Sequence, residues 1–211
     1  MNDVNMEQQD NLKPWMDQIE IETVQKLLVS LEKQHLEILE WGCGGSTEYF
    51  TQFLREQNIS YHWTSIEHNP EWFHKIAKRL ENDTKIEMHL FELVSPDSSE
   101  EDVCKQEYIT FPASLQKRFD FILVDGRQRA RCLEQASQLI NPNGIVMLHD
   151  ASRRKYYSAF HRYPNSKFLR PRIWIAINQP INWLGRVKSI LNYNYYRWIV
   201  RRLYRLGIVS R

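Results

Sequence analysis

Several residues that can do chemistry lie at the ends of short apolar segments. Carboxylates and an imidazole at such positions could bind a ligand, exchange protons or hold a metal ion. Because the carboxyl ends of parallel strands meet at one edge of a sheet, we expect these side chains to lie close together. The positions are Glu40, the glycine-rich run 42–47, Glu67, Asp125, and His149 with Asp150.

The glycine-rich run joins a predicted strand, 36–41, to a predicted helix, 48–57. Glycines let the backbone approach a ligand closely, and the start of a helix offers unpaired N–H groups. A dinucleotide site usually has the spacing G-x-G-x-x-G. Here the run is G-x-G-G-S-T, and Glu40 precedes it. That carboxylate would repel a pyrophosphate and would suit a cationic amino group, so an NAD-dependent oxidoreductase is kept only as an alternative.

Glu67 ends the next predicted strand, 61–66. A carboxylate at this place in the strand order can accept hydrogen bonds from both hydroxyls of a ribose. His68 follows it and could form part of the same wall. The two strand ends together predict a site for a nucleoside-containing cofactor.

The side chains of Asp125, His149 and Asp150 leave three roles open. Two carboxylates and an imidazole could bind a hard divalent ion, Mg²⁺ or Mn²⁺. Alternatively, His149 or Asp125 could act as a general base on an acceptor hydroxyl. In the third role, Asp125 only orients the acceptor and the cofactor, because positioning alone accelerates a group transfer strongly.

The alternation of predicted strands and helices indicates an α/β fold with a parallel sheet covered on both faces. A helix over 15–34 precedes the first strand, and further helices are predicted over 70–80 and 127–140. The apolar stripe expected on the first of these helices consists of Ile19, Thr23, Leu27 and Leu31, with Val24 and Leu28 beside it.

Charge divides the chain sharply although the total is only +2. Residues 1–150 hold 14 Lys and Arg against all 26 Asp and Glu, a net charge of −12, and residues 151–211 carry +14 with no acid. Such asymmetry indicates a basic surface facing something anionic. Arg127 could bind an acceptor carboxylate, whereas Arg129 and Arg131 are expected on the solvent face of a helix.

Residues 181–206 combine basic and aromatic side chains at helical spacing. This pattern fits an amphipathic helix lying on an anionic membrane surface. The alternatives are packing on protein and, less in keeping with the pattern, binding of RNA, because no RNA-binding module is recognisable.

Other classes of protein are excluded by composition. Three cysteines at irregular spacing do not form a disulfide framework or a cysteine-rich zinc site. No apolar segment is long enough to span a bilayer, and the polar segment at 1–13 does not resemble a secretion signal. These features predict a cytoplasmic protein, with membrane association left open.

Four segments carry a family resemblance: LEWGCGGSTEYF, SIEHNPEWF, FDFILVDGRQRARCL and GIVMLHD. They resemble class I S-adenosylmethionine-dependent methyltransferases over residues 36–150. More narrowly, they are similar to the glucuronoxylan and polysaccharide-biosynthesis methyltransferase group. The resemblance implies a Rossmann-like doubly wound sheet of about seven mostly parallel strands.

The resemblance also implies roles for residues. Glu67 and His68 would hold the ribose of S-adenosylmethionine, and the adenine would lie near 93–97. Asp125 would border the cofactor, and Asp125 with Asp150 resembles the acids of metal-dependent sugar O-methyltransferases, which usually have two adjacent acids where this chain has His149 and Asp150. The residues expected around the methionine part are Glu40, Trp41, Gly42, Cys43, Gly44, Gly45, Ser46 and Thr47.

We therefore expect an O-methyltransferase acting on a sugar hydroxyl of a glycan or glycolipid precursor, with an anionic acceptor. Asp125, His149, Asp150 and Arg127 are its expected catalytic residues. The expected organisation is a cofactor-binding domain over 1–179, with a loose tail at 1–13, and a basic amphipathic helix over 180–211. The rival to catalysis is a non-catalytic membrane- or RNA-binding protein on the same scaffold.

Overall fold

The computed structural model describes residues 12–92 and 106–179, which form a seven-stranded sheet with helices on both faces. The strand order is β3-β2-β1-β4-β5-β7-β6, with β7 antiparallel to both of its neighbours. The helices are α1 Gln18–Val29, α2 Gly45–Glu56, α3 Pro70–Leu80, α4 Gln106–Ser114 and α5 Arg129–Leu139, followed by a 3₁₀ helix, Arg154–Arg162. The strands are β1 His35–Trp41, β2 Ser60–Glu67, β3 Ile86–Leu90, β4 Phe119–Val124, β5 Ile140–His149, β6 Ser166–Arg170 and β7 Ile173–Ile177.

This architecture confirms the predicted doubly wound, mostly parallel fold. The strand order reverses between β1 and β4, which pair in parallel from Ile38 opposite Phe121 to Trp41 opposite Val124. In open α/β sheets, ligands bind at such a reversal, beyond the carboxyl ends of the strands. The glycine-rich run and Asp125 both lie at that position.

Two apolar layers hold the sheet in place. On one face, Val24 and Leu28 of α1 and Phe50 of α2 pack against alternate residues of β1, β2 and β4. On the other face, Leu133 of α5 and Tyr108 of α4 pack against the intervening residues. All six residues of β4 are buried, as expected for a central parallel strand.

Helix α3 shows how local sequence sets a helix start. Asn69 is its N-cap and accepts a 3.0 Å hydrogen bond from the Trp72 backbone N–H, and Pro70 occupies the first helical position. The predicted range 70–80 is therefore confirmed.

The predicted inner face of α1 is confirmed only in part: Val24, Leu28, Leu27 and Leu31 pack on the core, but Ile19 does not. Ile19 is 48% exposed, whereas Ile21, Val24 and Leu28 are buried together with Glu20. The helix begins at Gln18, because Asp17 caps it and forms a capping box with Glu20. The buried face of α1 therefore includes an acid, Glu20, as well as apolar residues.

Other boundaries also differ from expectation. The helix predicted over 127–140 ends at Leu139, and residues 141–144 lie within β5, where the pairing with β4 shifts register. Helix α2 begins at Gly45, inside the glycine-rich run. Neither β6 nor the 3₁₀ helix was predicted. The expected adenine contacts at 93–97 and the amphipathic helix over 180–211 lie outside the described residues, as does the tail up to residue 11.

No helix in the described ranges 12–92 and 106–179 is long and apolar enough to cross a membrane.

Candidate active site

The glycine loop, residues Gly42–Gly45, turns sharply at the end of β1. Gly42 has a φ of +99°, and a Cβ at this position would come within 2.7 Å of the Gly126 backbone nitrogen. Only glycine satisfies both the positive φ and this close approach. The loop after β1 is therefore packed directly against the loop after β4. Gly42 also connects to β2, because its N–H donates to the Ile66 carbonyl at 2.8 Å.

Glu40 lies beneath this loop and is fully buried. Its carboxylate accepts hydrogen bonds from the Thr47 hydroxyl at 2.6 Å and the Trp63 indole N–H at 3.0 Å. Ser46 and Ser65 donate to it as well, at 2.5 and 2.9 Å. Burial raises the pKa of Glu40 to about 7, although these four donors favour the charged form. The side chains of Ser46 and Thr47 are thus turned inward, where they anchor the first turn of α2.

Glu67 connects the glycine loop to the end of β2. Its Oε2 accepts the Cys43 backbone N–H at 3.0 Å, and its Oε1 accepts those of His68 and Asn69 at 2.8 and 2.9 Å. The His68 Nδ1 atom lies 2.6 Å from Oε1. Burial opposes ionisation, but the contacts with His68 and the backbone amides hold the pKa of Glu67 below its ordinary value. The ionised carboxylate of Glu67 therefore faces the glycine loop.

The segment 12–15 crosses the outside of the loop. A Cβ on Gly45 would lie 2.2 Å from the Lys13 carbonyl oxygen, so a side chain at this position would displace the segment. Leu12 packs on the small apolar cluster that contains Cys43, and the Trp15 ring lies 6.1 Å from that of Trp72. Leu12 and Lys13, expected in a loose tail, are thus part of the wall beside the loop.

Trp41 and Trp72 fix the loop from its two sides. The buried Trp41 indole donates to the Tyr108 carbonyl at 2.9 Å, and the Trp41 carbonyl accepts the Asp125 N–H at 2.9 Å. The Trp72 indole donates to the Cys43 carbonyl at 2.7 Å. Trp41, predicted to touch the cofactor, instead packs inside the protein next to α4.

Asp125, His149 and Asp150 form a cluster at the neighbouring strand ends, called the strand-end cluster below. Their potential ligand atoms all lie within 4.8 Å of one another. His149 Nδ1 lies 3.1 Å from Asp125 Oδ1, and its Nε2 lies 3.5 Å from Oε2 of the buried Glu20. Burial works against protonation, but the contacts with Asp125, Glu20 and Asp150 raise the pKa of His149 to about 9.

Two arginines complete the charge balance of the cluster. Arg129 lies 2.9 Å from the Asp125 carboxylate and donates to the His149, Gly126 and Asp125 carbonyls at 2.7, 2.9 and 2.6 Å. Arg172 pairs with Asp150 at 2.7 Å. Burial opposes ionisation of Asp150, but these cations and His149 keep its pKa below the ordinary value.

These partners decide whether the cluster suits a divalent metal. A protonated imidazole has no lone pair for a metal, and His149 lies between two carboxylates that favour its proton. The guanidinium of Arg129, 2.9 Å from Asp125 Oδ1, already balances the charge of this carboxylate and would repel a second cation beside it. The residues present therefore do not fit Mg²⁺ or Mn²⁺, in spite of their spacing.

Three partners of the site were missed or misplaced by sequence reasoning. Arg129, expected on a solvent face, has a side chain only 11% exposed, while Arg131 is exposed as expected. Glu20 and Arg172 were not identified at all. A signal existed for Glu20, since it is the N3 acid of the capping pattern D-x-x-E that starts at Asp17.

The structure brings most of the predicted site residues to one edge of the sheet. Arg127 links the two halves, because its Nε donates to His68 Nε2 at 3.3 Å and its backbone N–H to the Tyr108 hydroxyl at 3.1 Å. The arrangement places the ionised carboxylate of Glu67 beside the glycine loop. The carboxylate of Asp125, which contacts Arg129 and His149, lies at the neighbouring strand end.

A sequence family described as a methyltransferase domain matches residues 39–151, which is more than half of the chain. None of the curated proteins matches the sequence.

Solved structures resemble the fold at low identity. A protein from Staphylococcus aureus assigned as a caffeoyl-CoA O-methyltransferase is 16% identical, with a TM-score of 0.54 over 79% of this chain and 86% of that one. A methyltransferase-like protein from Silicibacter pomeroyi is 19% identical, with a TM-score of 0.57 over 85% of this chain and 96% of that one.

Proposed function

Since the chain belongs to the family of methyltransferase domains and is an S-adenosylmethionine-dependent methyltransferase, we propose that it methylates an oxygen of its acceptor. More specifically, we propose that the methylated oxygen is a sugar hydroxyl in a glycan or glycolipid precursor. Methylation of an oxygen is supported by the half-buried carboxylate of Asp125 at the end of β4. The sugar is supported by the motif resemblance to polysaccharide-biosynthesis methyltransferases. Family membership removes the case for an NAD-dependent oxidoreductase.

The observation that carries the proposal is the contact between Glu67 and the glycine loop. The carboxylate is held ionised, 3.0 Å from the Cys43 N–H. Among the described residues Oε2 has one donor, so it keeps a lone pair for a ribose hydroxyl of S-adenosylmethionine, and its charge would repel a phosphate. The glycine loop, with Gly44 and Gly45, would line the methionine part, and Glu40 would hold that loop from below without touching the cofactor.

The methyl group is transferred in one displacement. The acceptor oxygen bonds to the methyl carbon as the carbon–sulfur bond breaks, sulfur keeps the electron pair as a neutral thioether, and the hydroxyl proton leaves the acceptor. In-line positioning alone can contribute about 7–11 kcal/mol to such a step.

Asp125 is the residue that we assign to the acceptor. Its carboxylate is 22% exposed on the side chain, and both Arg129 and His149 contact it through Oδ1. Oδ2 would accept a hydrogen bond from the acceptor hydroxyl, orient it and receive its proton. His149 would keep Asp125 in place as an imidazolium, which makes it a positioning residue and not a general base at neutral pH.

The first experiment measures binding of S-adenosylhomocysteine by titration calorimetry. Glu67→Gln keeps the shape of the side chain but loses the charge that accepts a ribose hydroxyl, so we expect the affinity to fall at least about tenfold. The matched control is Glu71→Gln, an exposed position in the first turn of α3. Equal affinities for the wild type and Glu67→Gln would exclude the cofactor site.

The second experiment identifies the acceptor. We expect labelled methyl from S-adenosylmethionine to appear on a sugar or glycolipid acceptor in a screen. Asp125→Asn should lower kcat by about 10²-fold or more while cofactor affinity stays unchanged. Label found only on nitrogen or carbon would exclude the proposed oxygen.

We also propose that residues 181–206 bring the enzyme to an anionic membrane that carries the acceptor. The support is their basic and aromatic composition, since each basic residue near such a surface contributes about 1 kcal/mol. The full chain should sediment with phosphatidylserine vesicles, whereas a variant that lacks 181–211 should remain in the supernatant. Equal sedimented fractions of the two proteins would exclude this proposal.

A further inference from the structure

A cavity of about 200 Å³ opens beside the strand-end cluster, between the start of α5 and the 3₁₀ helix. We call it the basic cavity. Its lining residues are Gly126, Arg127, Gln128, Arg129, Ala130, Arg153, Lys155 and Tyr156.

The lining of the basic cavity is positively charged. Four of the described residues that line it are cations, Arg127, Arg129, Arg153 and Lys155, and none of these described lining residues is an acid. The amino end of α5 adds partial positive charge, and the first turn of this helix has no acidic residue to balance it. Cations gathered around a small cavity create a local field that attracts an anion.

The cavity lies directly beside the residue assigned to the acceptor. Arg129, which lines it, is 2.9 Å from the Asp125 carboxylate. Arg153 also lines it, and its guanidinium is 3.4 Å from Asp150. A group bound in the cavity would therefore lie close enough to Asp125 for one molecule to place a hydroxyl there as well.

The size of the cavity limits what it holds. Sites that enclose a whole small molecule usually measure about 300–1,000 Å³. At about 200 Å³, the basic cavity suits one charged group and not an entire acceptor. Guanidinium groups bind carboxylates and phosphates in bidentate geometry, so these are the matching anions.

We infer that the basic cavity binds an anionic group of the methyl acceptor, a phosphate or a carboxylate, close to the hydroxyl that is methylated. This inference rests on the proposed function and adds a substrate class to it. The acceptor is thus an acidic molecule, such as a phosphorylated sugar or a sugar acid, and not a neutral one.

The test compares three probes by titration calorimetry on protein saturated with S-adenosylhomocysteine. The probes are glucose 6-phosphate, glucuronate and uncharged glucose, all at millimolar concentration. We expect one or both anions to bind and glucose not to bind. Binding of glucose 6-phosphate alone identifies a phosphate as the recognised group, and binding of glucuronate alone identifies a carboxylate.

Two exposed side chains provide a matched pair of variants. Lys155→Gln removes a cation from the lining, whereas Arg154→Gln removes one from the adjacent position, which does not line the cavity. Lys155→Gln should weaken anion binding about fivefold to tenfold, the loss of one partly solvated charge-assisted contact. Arg154→Gln should change it less than about twofold.

Equal losses in both variants, or no binding of either anion, would overturn the inference. The saturation step separates this result from a failure of the proposed function. If S-adenosylhomocysteine itself does not bind, the cofactor site is refuted. If it binds and the anions do not, only the basic cavity loses its assigned ligand. Melting curves of both variants verify that they are folded.

Discussion

The buried histidine of the strand-end cluster makes the stability of the fold depend on pH. His149 is 2% exposed and lies between the carboxylates of Glu20 and Asp125. Its pKa is about 9 in the folded protein, against an ordinary value of 6.5. The folded state therefore binds this proton more tightly than the unfolded chain does.

The direction and size of the effect follow from that difference. A raised histidine pKa contributes stability that is complete below about pH 6.5 and is lost as the pH rises through 9. One pKa unit corresponds to about 1.4 kcal/mol, so the free energy of unfolding should fall by about 3 kcal/mol between pH 6.5 and 9.5. His149→Gln removes the titrating group, and its stability should change much less over this range.

The assay is urea denaturation followed by tryptophan fluorescence across this pH range. His74→Gln, at an exposed position on α3, is the control and should keep the wild-type slope. His149→Gln is expected to be less stable than the wild type at pH 6.5, because Glu20 and Asp125 lose their shared cation. Parallel curves for the wild type and His149→Gln would refute the assigned ion pairs.

Three further predictions concern the loop, its buried acid and the metal. Gly42→Ala should abolish cofactor binding and destabilise the fold by at least about 2 kcal/mol. Gly44→Ala should cost less, because Gly44 has an extended φ and a Cβ there would lie 3.3 Å from the Trp72 indole nitrogen. Equal melting temperatures of the two variants would contradict this prediction. Trp63→Phe removes a hydrogen-bond donor from Glu40, and burial raises the pKa of Glu40 to about 7. The loss of unfolding free energy, measured by urea denaturation, should therefore be about 1–2 kcal/mol larger at pH 8.5 than at pH 5.5. A loss that does not depend on pH would argue against an ionised Glu40. Addition of a chelator should leave methyl transfer unchanged, and inhibition reversed by Mg²⁺ or Mn²⁺ would show that the strand-end cluster does hold a metal.

Local sequence was sufficient for the positions of the candidate residues. Apolar segments of strand length end at Glu67 and Asp125, and parallel strands bring such ends to one edge of a sheet. The glycine loop was recognisable from its spacing, because the positive φ of Gly42 demands that residue type. The start of α3 at residue 70 could also be predicted locally, since Asn69 and Pro70 act within one turn.

What these residues contact could not be read from spacing. Glu40 points into the core, where its hydrogen-bond donors come from α2 and β2. Its carboxylate is therefore fully buried beneath the glycine loop. Arg129 turned inward instead of outward, because three backbone carbonyls at the strand ends accept its N–H groups. Such contacts depend on how elements distant in sequence are packed.

The sequence by itself determined the alternation of strands and helices, the strand ends that carry acids, and the split of charge at Asp150. The tertiary structure alone decided the charge state and partners of those acids. Helix α1 contributes Glu20 to His149, and β7 begins beside Arg172, which holds Asp150. Hydrophobic periodicity specifies which element forms, but a pKa and an ion pair depend on distances of a few ångströms between separate elements.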